Sequence, residues 1–455
     1  SYRLNYIAKV ELGESKLDNP YETFKDFYTK DYQKFVEYNI QDVELVDKLE
    51  DKMKLIELCL TMAYEAKVNY TDVYSQVRCW DTIIYNHLLK KNIIIPPRED
   101  HDKDTQYEGA YVKDPQLGLH NWIVSFDLNS LYPHLIMQYN LSPETLVGVQ
   151  PKNMGVENYL NEKFNLQWAR DKNVTVAPNG SMYRRDKQGF LPELMEKMYG
   201  DRVVFKKKTI EAKKEFQKTK DPIYKNEISR CNNIQMAKKI ALNSAYGAIG
   251  NQYFRYFDVR IAEAITLGGQ LSIRWVERDV NKFMNKLLNT DNVNYVVASD
   301  TDSIYLKLDK LVEKVCKDKS PQQITDFINK AAEDKIQKVI DDSFNNLAKY
   351  VNAYQQKMIM KREAIANKAI WVAKKRYMMN VFDEEGIRFD IPKLKIMGVE
   401  AVKSSTPEVC RGKIKDAIRV IMNDSEDALI KFVADFKEVF KTLSPEEVAF
   451  PRSCN

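Results

Sequence analysis

The chain has 455 residues, 44% of them hydrophobic and 30% charged, too many for one ordinary domain and enough for several cores. No apolar run approaches membrane-spanning length, and the start Ser1-Tyr-Arg-Leu does not read as a signal peptide. Net charge is only +5, which neither demands nor excludes nucleic acid, and six scattered cysteines without CxxC spacing beside four histidines argue against a zinc site or a disulfide framework and for a reducing cytosol.

Residues 1 to about 95 read mostly helical, because Phe35 to Leu49 repeats apolar residues at spacings of three and four. Tyr38 and Asp42 share one helix face there. Ile95-Pro96-Pro97 through Asp104 breaks the pattern and reads as a linker. Strand-like segments are expected from Gly109 to Phe126, ending in Asp127, after which Pro133 suits the first position of a helix. Two long helices follow, one through Leu194 to Lys218 and one from near Tyr224, with Pro222 marking the turn. Tyr295 to Tyr305 reads as two strands folded back on each other, with Asp300-Thr301-Asp302 at the tip. A basic run, Lys374-Lys375-Arg376, adjoins a strand-like Tyr377 to Phe382, and the chain is helical again from Ser404. There is no internal repeat and no low-complexity segment.

Two remote carboxylates carry the chemical expectation. A strand ending in Asp127 beside a hairpin ending in Asp302 would bring two hard oxygen donors together. Phosphoryl transfer by two metal ions needs such a pair, one ion activating the attacking oxygen and the other neutralising a triphosphate. The carbonyl of Leu128 is a third candidate ligand. An Asp-Thr-Asp tip is equally an ordinary solvated turn, and Asp300 in particular can be a turn-stabilising side chain.

Asp127-Leu-Asn-Ser-Leu-Tyr-Pro resembles motif A of the family B DNA polymerases, D-x-x-S-L-Y-P. Asp300-Thr-Asp-Ser resembles motif C, with Ala298-Ser299 where the family usually has Tyr-Gly. Lys239-Ile-Ala-Leu-Asn243-Ser-Ala-Tyr246-Gly247 resembles motif B, K-x-x-x-N-S-x-Y-G. Three motifs in order are specific where one would be weak. The match continues in Tyr107 to Val112, Lys374 to Tyr377 and Lys393 to Glu400, and it is similar to the replicative enzymes of T4-like bacteriophages over nearly the whole chain.

The resemblance implies an α+β fold: a family B palm with helical-hairpin fingers, a partial exonuclease domain and a truncated thumb. Its parts would be the end of a 3′→5′ exonuclease domain at 1–95, palm at 96–188, fingers at 189–251, palm again at 252–403 and the start of a thumb at 404–455. It implies Asp127, Asp302 and Asp300 as catalytic residues, with two Mg²⁺ ions on Asp127, Leu128 and Asp302 and Mn²⁺ able to substitute. Ser130, Leu131, Tyr132, Arg202, Lys206, Lys239 and Asn243 would bind the incoming nucleotide. Tyr132 would be a steric gate against the 2′-hydroxyl, although a core tyrosine is the commoner fate of such a ring. Arg202 with Lys206, and Lys239 with Asn243, are each four apart and so share a helix face, while Lys207, Lys208, Lys213 and Lys214 are assigned to a solvated face. Tyr107, Gly109, Tyr246, Gly247, Lys374, Lys375, Arg376 and Tyr377 would contact DNA, the basic ones without reading sequence. Ala110 replaces the second glycine of the family's Y-x-G-G-type element. Glu363 is read either as a neighbour of the metals or as half of an ion pair.

Tyr38 and Asp42 resemble the third exonuclease motif, Y-x-x-x-D, but no upstream D-x-E precedes them, and Glu11 and Glu14 have the wrong context. The exonuclease site is therefore expected to be incomplete. The missing initiator Met and the end at Asn455 fit a fragment. The implied partners are primer-template DNA, dNTPs and, for a full-length protein, a sliding clamp and other replisome proteins, with no membrane, in the cytoplasm of an infected bacterium. Two rivals stay open: an excised core that binds DNA or nucleotide without catalysis, and a two-metal nuclease, against which motif B argues.

Overall fold

The computed structural model of the chain describes residues 3–99, 106–150, 154–403 and 405–450. The linker expected at Ile95 to Asp104 lies partly outside these residues, as do Ser404 and Cys454. The chain divides into two compact units, Ser1–Ile94 with Met198–Ala241, and Ile95–Lys197 with Leu242–Asn455.

The first unit opens with five helices: α1 (Leu4–Leu12), α2 (Phe24–Lys30), α3 (Tyr32–Met53), α4 (Leu55–Ala66) and α5 (Gln76–Leu89). Local chemistry sets their ends. The Thr23, Asp31 and Ser75 side chains accept the N–H groups of Asp26, Lys34 and Arg78, satisfying donors that a helix start leaves bare. Phe27, Leu45, Trp80, Ile84 and Leu88 are the largest of its buried apolar side chains. To this unit belong the outer parts of two long helices, α9 (Phe190–Thr219) and α10 (Pro222–Ile249). They are joined where Lys220 turns left-handed and the Asp221 side chain caps Ile223. Lys220 and Lys225 both sit over the Phe216 ring, so the two helices meet at their tip as a hairpin.

The second unit is built on a six-stranded antiparallel sheet ordered β5-β6-β1-β7-β8-β9. The strands are β1 (Gly118–Leu128), β5 (Val296–Asp300), β6 (Ser303–Lys307), β7 (Met360–Ala373), β8 (Arg376–Glu384) and β9 (Ile387–Met397). A separate sheet, β2-β4-β3, uses Leu146–Val149, Ser181–Arg184 and Val174–Val176. α6 (Leu131–Tyr139) follows β1, and α7 (Val156–Leu160) and α8 (Gln167–Asp171) precede the small sheet's second strand. α11 (Val259–Leu288) is capped by Asp258 and turned off by a left-handed Asn289. Its Gly268 and Gly269 face Leu131 and Leu135 of α6. Beyond β6 come α12 (Asp309–Val315), α13 (Pro321–Ala331) and α14 (Gln337–Tyr350). The chain continues through α15 (Glu408–Asn423), α16 (Glu426–Lys441) and α17 (Pro445–Val448).

The sequence expectations need two adjustments. The strand expected from Gly109 begins at Gly118. Before it the chain runs beside β5 with a single bridge, Val112 to Asp300, because Pro115 has no N–H to continue a ladder. Helix α6 begins at Leu131, two residues before Pro133, which still lies in the first turn where a missing N–H costs nothing.

Candidate active site

Strand register brings the two motif carboxylates together. Asp127, near the end of β1, pairs with Ser303 at the start of β6, and the Leu128 N–H donates to the Asp302 carbonyl at 2.8 Å. Asp302 sits in the tight β5–β6 turn, where Thr301 takes a left-handed φ of 60°. No side chain of another described residue hydrogen-bonds to either carboxylate, and neither forms an ion pair. Burial and the Asp302 charge push the Asp127 pKa up to about 7, with Glu363 adding to the push. Burial raises Asp302 as well, with Asp300 and Glu363 contributing. The pair is thus held at an electrostatic cost that a cation would relieve.

The neighbouring acids are already matched. Lys395 donates to Glu363 at 2.7 Å, and the Ser125 hydroxyl donates to the other Glu363 oxygen at 3.0 Å. A β-bulge puts Glu363 there: the β1–β7 register slips between Val124 and Phe126. Asp300 pairs with Lys375 and accepts from the Thr301 hydroxyl at 3.1 Å. So among the described residues no group of three or more His, Cys, Asp or Glu side chains is placed to hold a metal. The unmatched pair fits a hard cation by charge and donor type, and open positions would remain for oxygens of a ligand.

An aromatic cluster adjoins the pair. Tyr132 is half-buried on α6, its ring 4.7 Å from that of Tyr246, with Gly269 flanking it. Burial raises its pKa, and the Asp302 charge is felt there too. The Tyr246 hydroxyl lies 3.3 Å from that of Tyr107, and burial raises its pKa further. A side chain at Gly250 would meet the Tyr107 hydroxyl at 2.7 Å, so the Tyr107 ring would have to shift for any larger residue there. Gly109 is exposed and its carbonyl accepts from Gln270 at 2.7 Å. Asn243 and Gly247 are exposed on α10, Leu128 and Leu131 are buried, and Ser130 adopts a left-handed φ of 48° between Asp127 and α6.

The basic run forms the β7–β8 turn. Lys374 pairs with Asp114 at 3.0 Å, Lys375 with Asp300 and Arg376 with Glu400. Tyr377 is only 6% exposed, with its hydroxyl 2.8 Å from that of Tyr305 and its ring stacked on Trp371. Gly398 secures this turn: at φ 65°, any Cβ there would stand 2.1 Å from the Lys375 carbonyl.

In the first unit, Lys206 and Lys239 are exposed and Arg202 is half-buried. Arg202 and Lys239 are each one residue from an ion pair, buried Lys238 to Asp201 at 3.1 Å, which sequence reasoning missed. Tyr38 and Asp42 do lie together, and Lys16 joins them, 2.6 Å from Asp42 and 4.8 Å from the Tyr38 ring centroid. The second Asp42 oxygen is buried without a partner. Glu14 and Glu11 pair instead with Lys48 and Lys52. Only a loop places Lys16 there, so no periodicity could have found it, and Lys395 reaches Glu363 from the remote strand β9.

No described helix is long and apolar enough to cross a membrane. A model of DNA polymerase family B matches residues 68–450. The chain is 34% identical to the DNA-directed DNA polymerase of Escherichia phage RB69, over all of this chain and 55% of that protein. It is 32% identical to that of Enterobacteria phage T4, over all of this chain and 56% of that protein. It is 25% identical to DNA polymerase 1 of Pyrococcus abyssi, over 98% of this chain and 50% of that protein. The chain therefore spans about half the length of the curated relatives it matches.

Proposed function

The chain belongs to DNA polymerase family B, and from that we propose that it performs template-directed DNA synthesis, joining dNTPs to a primer 3′ end. The observation that carries the proposal is the meeting of Asp127 and Asp302. They come from two separate motifs, one on β1 and one in the turn that leads into its partner strand β6, and have no cation opposite them among the described residues.

In this reading Asp127 and Asp302, with the Leu128 carbonyl, would hold two Mg²⁺ ions, with Mn²⁺ as a substitute. The ions would supply a lowered pKa for the primer 3′-hydroxyl and charge neutralisation for the triphosphate. Asp300, tied to Lys375, steadies the turn. Tyr132 lies beneath the sugar and excludes a 2′-hydroxyl, its ring backed by Tyr246 and Gly269. Ser130 and Leu131 present backbone to the nucleotide. Arg202, Lys206, Lys239 and Asn243 bind the triphosphate, Arg202 with a planar fork and the lysines as point charges.

Lys374, Lys375 and Arg376 reach primer phosphates from a turn that buried Tyr377 anchors, while Tyr107, Gly109, Tyr246 and Gly247 face the nascent pair and template. The five-part layout of exonuclease remnant, palm, fingers, palm and early thumb belongs to the same proposal. So do action in the cytoplasm of an infected bacterium and, for a longer polypeptide, a clamp and other replisome partners.

A second reading is a core that binds DNA or nucleotide without turnover. Primer extension with Mg²⁺, run beside equilibrium binding of primer-template and dNTP, separates the two. Extension supports the enzyme; binding without extension supports the core; cleavage of the DNA in place of extension would mean a nuclease.

A further inference from the structure

The first unit contains a buried lysine that the proposed chemistry does not use. Lys238 is 8% exposed, yet it carries an ammonium. Its Nζ lies 2.8 Å from the Glu65 carboxylate at the end of α4 and 3.1 Å from Asp201 on α9. Burial acts against its charge, and the two carboxylates outweigh burial, leaving its pKa above the ordinary lysine value.

A partly buried ion cluster is a weak source of stability, since an apolar side chain of the same volume would often do as well. What the ammonium adds is direction. It must face two carboxylates at once, which fixes both the rotation of α10 and its height against α9 and α4. Other contacts hold α10 to the same neighbours. Glu57 of α4 accepts from Ser229 and Asn233 at 3.1 Å each, and the Trp80 indole of α5 donates to the Ala241 carbonyl at 3.1 Å.

The placement matters because of what comes next in sequence. Successive helix residues point about 100° apart. With Lys238 turned inward, Lys239 is turned out, and it is exposed. Asp201 likewise precedes Arg202. The cluster therefore joins the two helices at the level from which two of the proposed triphosphate ligands project.

We infer that Lys238, clamped by Glu65 and Asp201, is a positioning residue that sets Arg202 and Lys239 for the incoming nucleotide; the inference rests on the polymerase reading above.

The test uses the sign of a charge change. Lys238→Met and Glu65→Gln are built in the full chain. Single-nucleotide incorporation on primer-template DNA with Mg²⁺ gives KM for dNTP and kcat, and DNA affinity and Tm are measured alongside. Positioning predicts that dNTP KM rises about tenfold in Lys238→Met and about threefold in Glu65→Gln, with kcat and DNA affinity within about twofold. A bare charge effect predicts opposite signs: losing a cation weakens an anionic nucleotide, whereas losing the Glu65 carboxylate tightens it. An unchanged or lowered KM in Glu65→Gln overturns the inference. So does a parallel fall of kcat, DNA affinity and Tm, which would mark the cluster as support for the fold alone. An active parent with ordinary KM in both variants sinks the brace and leaves the polymerase reading standing. A parent that neither extends a primer nor holds a dNTP sinks that reading, and the brace with it.

Discussion

Two places in this molecule set a tyrosine beside an aspartate, and they are electrostatic opposites. At Tyr38 and Asp42, one turn of helix brings the pair together and Lys16 lies across both, neutralising the carboxylate. At Asp127 and Asp302, strand pairing brings two carboxylates together and no lysine reaches either of them; Lys375 and Lys395 go to Asp300 and Glu363 instead. A metal at the first place must compete with an ammonium already there. At the second, Lys395 and Lys375 offset the repulsion only through space, and both pKa values stay raised. Resemblance to a two-metal motif is therefore a weaker guide than the question of which acids are already paired.

The largest expected effect breaks the comparison at its centre. Asp302→Asn should lower the single-turnover rate of primer extension by ~10³-fold or more, with DNA affinity changed less than about threefold. Asp42→Ala should leave the trimming of a mismatched 3′ end as it was, because Lys16 already neutralises that carboxylate. Trimming that disappears in Asp42→Ala would mean the two sites are equals after all.

The second effect concerns the two tyrosines. Tyr132→Ala should raise ribonucleotide incorporation at least about tenfold relative to dNTP, a change of about 1.4 kcal/mol. Tyr38→Ala should leave sugar choice alone. Equal loss with both sugars, together with a lower Tm, would leave Tyr132 as packing.

A smaller effect reads the repulsion itself. The folded-state pKa of Asp127 stands at about 7, above the ordinary 3.8. A folded chain that holds this proton more tightly is most favoured below the ordinary value, and the contribution is lost as pH rises through about 7. Without metal at about pH 8, Asp127→Asn should therefore gain on the order of 1 kcal/mol, or ~1–2 °C in Tm, and the gain should shrink to nothing near about pH 4. Mg²⁺ should raise the Tm of the parent and not of the variant. Least of all, Lys16→Met should cost under ~1 kcal/mol in urea unfolding, since its pair with Asp42 is about a quarter exposed on both sides.

Much of this was legible because the signals were local. The β5–β6 turn, the helix break at Pro222 and the shared face of Tyr38 and Asp42 each follow from a few adjacent residues. The strand register was not legible: nothing in either segment says that Asp127 pairs with Ser303. Nor were the lysines that occupy Asp300, Glu363 and Asp42, because each arrives from a remote strand, turn or loop. Gly398 is needed for a contact made across the fold, so as a single letter it looked like any other glycine.

The central place of β1 has a consequence for how the molecule comes into being. Both of its sheet neighbours, β6 and β7, lie later in the chain. During synthesis the strand that carries Asp127 is made long before either edge can be paired. For that interval it is an apolar strand with two open edges, the kind of surface that invites wrong partners. A nascent chain stopped before Val296 would have Asp127 and nothing to set against it. The carboxylate pair thus appears late, in one step, when the hairpin bearing Asp302 closes onto a strand that has been waiting for it.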